Sequence, residues 1–137
     1  MLYDDQNIFA RIIRNELPAI KVYEDEQVLA FMDIMPQAEG HTLVIPKTPA
    51  VTLLDLPPDA AAYTIQIVQK VAQAMKIALD VQGIVLMQLS GASAGQTVPH
   101  VHFHLIPSSV HELGKHALNM GDQEKIKALA ERIKAEL

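Results

Sequence analysis

Apolar and polar positions repeat along this chain with two periods, and each switch between them marks an element. Ile8, Phe9, Ile12 and Ile13 recur at helical spacing behind Asp4 and Asp5, either of which can cap a short helix. Glu16-Leu17-Pro18 ends it, because the residue before a proline is pushed out of helical geometry. Two extended runs follow, Ile20 to Glu24 and Val28 to Asp33, with Asp25-Glu26-Gln27 as the turn of a hairpin. Gly40 leads into His41-Thr42-Leu43-Val44-Ile45-Pro46, a β-branched strand stopped by proline. The proline-rich stretch Lys47 to Pro58 reads as a loop.

From Asp59 to Asp80, Ala61, Ile65, Val68, Ala72, Met75 and Leu79 repeat at steps of four and three, which predicts a long helix. Ile84 to Leu89 is apolar almost throughout, the pattern of a strand covered on both sides. Ser90 to Gly95 is a loop of small residues, and Val98 to Ile106 reads as a second central strand ended by Pro107. Ser108 to Gly121 is irregular. Asp122 then caps a last helix, with Glu124 in its first turn and Ile126, Leu129 and Ile133 on one face. The order predicts an α+β fold: a mainly antiparallel sheet, one long central helix and a C-terminal helix over about 122–137. One domain spans residues 1–137.

Composition narrows the function classes. With 137 residues, half of them hydrophobic, the chain can bury a real core. Its net charge of −5 and the lack of a basic patch argue against a nucleic-acid partner. It has no cysteine, hence no disulfide scaffold and no thiolate metal site. No secretory signal opens the sequence and no run approaches the ~20 apolar residues of a membrane span, so a cytoplasmic protein without a membrane partner is expected.

The chemistry concentrates in His100-Val101-His102-Phe103-His104. On a strand the three imidazoles share one face, and Val101, Phe103 and Leu105 point to the other. Lining up titratable rings brings no packing gain and costs desolvation if they are buried, so the row points to function. Zinc is one reading. Yet successive same-face Cα atoms on a straight strand lie ~7 Å apart, too far for all three rings to reach one ion at ~2.0–2.1 Å. A zinc site would need His41, His111, His116 or an acid as well. Covalent or acid–base chemistry on phosphate is the other. At pH 7 roughly three quarters of an unperturbed imidazole is neutral and nucleophilic, and a neighbouring ring can serve as donor. Just upstream, Gly91 to Thr97 offers backbone amides, with Gln96 and Thr97, as phosphate donors.

Gly95-Gln96-Thr97-Val98-Pro99-His100-Val101-His102-Phe103-His104-Leu105-Ile106-Pro107 closely resembles the signature of the histidine-triad (HIT) proteins. The likeness extends over a motif core of about 8–107. It takes in Ile8 to Ile13, Leu17-Pro18-Ala19, Val22 to Asp25, Leu29 to Ile34 and Pro36 to Lys47, and it fits the nucleotide-hydrolase branch. The resemblance implies a HIT-like fold, commonly paired as a homodimer, that binds a purine nucleotide and needs no cofactor or metal. It implies that His102 is the nucleophile and forms a nucleotidyl-histidine intermediate. His104 would contact the phosphate and leaving group, and His100 and His41 would form a supporting relay. Asp33 would bind the ribose hydroxyls, and Phe9, Ile12, Phe31 and Ile34 would wall the base pocket. The implied reaction is hydrolysis of nucleoside 5′-phosphoramidates or related conjugates, releasing a nucleoside monophosphate such as AMP. A binding module with little catalysis and a metal-dependent hydrolase are the alternatives.

Two departures stand out. The zinc set of some members is dismantled: Asn7, Ala10 and Pro49 replace ligands, and only His100 is left. Leu89 stands where an asparagine near the phosphate is usual. The segment Leu113 to His116 is only loosely similar and carries no assigned residue.

Overall fold

Residues on adjacent positions of the central strands part to opposite faces, and each face finds its own cover. The computed structural model describes residues 2–113 and 119–137. Its elements are α1 (Ile8–Ile13), β1 (Lys21–Glu24), β2 (Val28–Met32), β3 (Thr42–Pro46), α2 (Pro58–Leu79), β4 (Val85–Met87), β5 (Phe103–Ile106) and α3 (Gln123–Ala135). The five strands form one antiparallel sheet in the order β1-β2-β3-β5-β4. Val28, Ala30, Met32, Val44, Phe103 and Leu105 meet α2 and α3 in the larger core. Leu29, Phe31, Leu43 and Ile45 meet Phe9 and Ile12 of α1 in a smaller one. Each fully buried aliphatic or aromatic side chain is worth about 1.5–3 kcal/mol, so both faces help hold the sheet. No helix among the described residues is long and apolar enough to cross a membrane.

The α+β reading and the hairpin agree with the structure. Asp25 makes the hairpin turn, its Oδ1 accepting the N–H groups of Gln27 and Val28 at 2.8 Å each. Asp122 caps α3 as expected, and Ile126, Leu129 and Ile133 are buried.

Several boundaries move. The cap of α1 is Asn7, whose Oδ1 accepts the Ala10 N–H at 2.9 Å; Asp4 accepts instead from Gln6 in the preceding turn. Along α2 the buried stripe is Thr64, Ile67, Val68, Val71, Ala74 and Met75, leaving Ile65 44% exposed. The stripe is rotated from the one the periodicity suggests, because alanines and β-branched residues occupy both sides of the helix. Ile84 to Leu89 shrinks to a three-residue strand at the sheet edge, partly exposed rather than covered on both sides. Val98 to Ile106 pairs only from Phe103 onward. Pro99 has no N–H for a ladder, and the Val101 N–H goes to Ala50 O at 2.9 Å.

Candidate active site

The register that builds the smaller core also builds the site. Beyond Phe31 the same face of β2 presents Asp33, and before Leu43 the same face presents His41. The Asp33 N–H donates to His41 O at 2.9 Å and holds the two side by side. His104 lies directly opposite Leu43 in the β3–β5 register. Asp33, His41 and His104 thereby converge from three strand ends on the face that α1 covers.

Hydrogen bonding assigns the tautomers. The Gln37 backbone N–H can only donate, and it donates to His41 Nδ1 at 3.0 Å. His41 therefore carries its proton on Nε2 and donates to His104 Nδ1 at 2.9 Å, which leaves the His104 proton on Nε2. The His100 carbonyl can only accept, so His102 Nδ1 donates to it at 2.7 Å and the lone pair sits on Nε2. The rings of His102 and His104 are 4.8 Å apart, those of His41 and His104 5.1 Å, and Phe9 packs edge-on against His102 at 4.9 Å. A ring with its lone pair on Nε2 thus neighbours a ring with its proton on Nε2.

His100 departs from the expected straight row. It lies ahead of the paired part of β5, and its ring is bonded to Tyr3 Oη through Nδ1 at 2.6 Å and to Pro46 O through Nε2 at 2.8 Å. The expected relay between His100 and His41 is replaced by two ties, His41 to His104 and His100 to Tyr3 and Pro46. Burial pushes the His100 pKa down to about 4, outweighing its bond to Pro46.

A cavity of about 460 Å³ opens beside His102. Phe9, Ile12, Phe31 and Ile34 line it with Asp33 and Thr97. Ile34, expected as a pocket wall, sits half exposed at the mouth. Asp33 Oδ1 accepts the Met35 N–H at 2.8 Å, and Oδ2 lies 3.5 Å from His41 Nε2. Gln96 acts as a loop brace: Oε1 accepts the Gly91 N–H at 2.8 Å, and Nε2 donates to Val51 O and Val98 O at 2.7 and 3.0 Å. Its two amide hydrogens are committed there, as are the backbone amides of Gly91, Ala94, Gly95 and Gln96, so the side-chain phosphate donors this loop offers are the hydroxyls of Ser93 and Thr97.

Metal binding can be tested on these bonds. Ligand atoms of Asp33, His41 and His104 all lie within 4.8 Å of one another, close enough for one ion. A metal on His41 Nε2 would move that proton to Nδ1, where it would face the Gln37 N–H, donor against donor. Metal-bound histidines instead donate their second N–H to an acceptor, so the cluster is built for proton sharing. Both nitrogens of His100 are likewise engaged, and the dismantled zinc set does not fit an ion. His111 is exposed on the surface, and His116 lies outside the described residues.

Sequence reasoning missed three participants: Tyr3, the Gln37 N–H and Gly121. The Gly121 N–H donates to Ile34 O at 3.1 Å, and a Cβ at this position would fall 3.0 Å from Pro36 Cγ, so the segment before α3 braces the loop that carries Asp33. None has a local signature, since each acts on residues far along the chain or through its backbone.

An antiparallel sheet that gathers histidines from β3 and β5 beside a nucleoside-sized cavity defines a HIT domain. The chain belongs to the HIT family: its residues 14–111 match the HIT domain. It is similar to the adenosine 5′-monophosphoramidases of Schizosaccharomyces pombe, 36% identical with 95% of this chain and 97% of that one covered, and of Saccharomyces cerevisiae, 44% identical with 73% and 61% covered. In structure it resembles the HIT-like protein of Bartonella henselae, with a TM-score of 0.92, 47% identity and both chains fully covered.

Proposed function

We propose that this chain hydrolyses nucleoside 5′-phosphoramidates or related nucleotidyl conjugates, through a nucleotidyl-histidine intermediate on His102 Nε2. The observation that carries the reading is the fixed tautomer of His102 on the cavity wall, with the His104 ring 4.8 Å away. The Nε2 lone pair attacks phosphorus and the P–N bond breaks, the departing nitrogen taking up one proton to leave as an amine. Water then attacks phosphorus, the P–Nε2 bond breaks, a proton returns to solvent, and the nucleoside monophosphate leaves. His104 donates a hydrogen bond to the phosphoryl or leaving group, Asp33 accepts from the ribose hydroxyls, and the apolar walls hold a purine, with AMP as the expected product. The names of the yeast relatives support this class of substrate. Leu86, 48% exposed on the edge strand β4, and the family's habit of pairing support a homodimer.

A nucleotide-binding role with little turnover is the second reading, favoured by Leu89. Incubation with adenosine 5′-phosphoramidate and assay for AMP separates the two. His102→Ala removes turnover while AMP affinity stays within about tenfold of the parent, and a chelator changes neither. Normal hydrolysis by that variant overturns the assignment of His102.

A further inference from the structure

The structure assigns Tyr3 as a positioning residue for this hydrolysis: its hydroxyl locks the ring of His100, and the His100 peptide in turn sets the tautomer and aim of His102. The inference rests on the reading of His102 as nucleophile.

The chain of bonds runs in one direction. Pro46 O can only accept, so His100 carries its proton on Nε2 and offers Nδ1 as an acceptor. Tyr3 answers it, donating its O–H at 2.6 Å, with the two rings edge-on at 5.6 Å and 69°. His100 is wholly buried, so no solvent can take the place of that donor cheaply. Its carbonyl is the acceptor that puts the His102 proton on Nδ1. On the far side of this peptide the Val101 N–H is tied to Ala50 O, so ring and main chain are pinned together. Remove the hydroxyl and a buried imidazole nitrogen loses its partner; a ring flip or shift to repair the loss moves the peptide on which His102 depends.

No other part of the proposed chemistry uses Tyr3.

The test is Tyr3→Phe, which keeps the ring and deletes the oxygen, assayed by AMP release and by ¹⁵N NMR of the imidazoles. The expected result is a kcat lowered about tenfold with KM within about twofold. The His102 signals should turn from a single Nδ1–H form to a mixture of tautomers. A lower melting temperature with kcat and the His102 tautomer unchanged means a structural role only, and overturns the proposal. Should Tyr3→Phe fail to fold, incorporation of 3-fluorotyrosine at position 3 serves, because the stronger donor must shift the His100 Nδ1 resonance; an unmoved resonance overturns the tie. If His102→Ala proves active, the catalytic reading fails by itself, and the NMR still judges the link between Tyr3 and His102.

Discussion

Acid should destabilise this protein through His100 well before it reaches the carboxylates. Above about pH 7.5 the ring is almost wholly neutral in both folded and unfolded chains, and its burial sets no pH dependence. Between pH 6.5 and about 4 the unfolded chain takes up a proton that the folded one refuses, because burial holds the folded pKa near 4. Stability therefore falls as pH falls through this window, and the contribution levels off below it. A gap of about 2.5 units corresponds to ~3 kcal/mol in full, with a slope of ~1 kcal/mol per pH unit around pH 5. Urea unfolding followed by circular dichroism, from pH 7.5 to 4.5, measures it on the parent and on His100→Gln. The variant starts less stable, having lost the bonds to Tyr3 and Pro46, but its curve should be flatter by that slope. Groups remote from His100 contribute equally to the parent and variant curves and cancel. Parallel curves would mean that His100 is not held neutral, and the reasoning would fail.

Asp25 predicts a second, more acidic transition. Burial pushes its carboxyl up, but the hydroxyls of Tyr63 and Tyr23 and the N–H groups of Gln27 and Val28 hold it down at about 2. Its contribution is present above about pH 4 and is lost as pH falls towards 2. With allowance for partial exposure, Asp25→Asn should cost about 1–2 kcal/mol at pH 7, read by urea unfolding. Gly40 sits at φ +89°, and an added Cβ would fall 2.5 Å from Leu79 Cδ1. Leu79 can swing aside but the backbone angle cannot, so Gly40→Ala should cost about 1–3 kcal/mol in thermal unfolding; an unchanged melting temperature would refute the strain.

What could be read from the chain, and what could not, follows the range of each interaction. The long helix, the hairpin and the cap at Asp122 depend on neighbours a few residues away, and they appear where pattern places them. Asn7 displaced Asp4 and Asp5 as a cap because three polar side chains compete there and only reach to the Ala10 N–H decides. Three histidines at period two look equivalent on paper. Pro99 and the Val101–Ala50 bond take the first out of the ladder, so His100 sits beneath the cluster in which His104 meets His41 and Asp33. Gln96 has the right chemistry for phosphate, but carbonyls at Val51 and Val98 claim its amide. Burial of β4 depends on the sheet order, which no stretch of apolar residues reveals. Tyr3 lies 97 positions from His100 and has no signal at all.

Under the role proposed for Asp33, the bond from Gly121 to Ile34 gives the segment before α3 a voice in ligand selection. Substitutions accumulating around the start of α3 under some unrelated pressure would then nudge the Asp33 carboxylate and so retune the proposed sugar preference, with every pocket residue left intact. Relatives with identical cavities and different C-terminal tails are therefore the pairs in which to seek divergent discrimination between ribo- and deoxyribonucleotides.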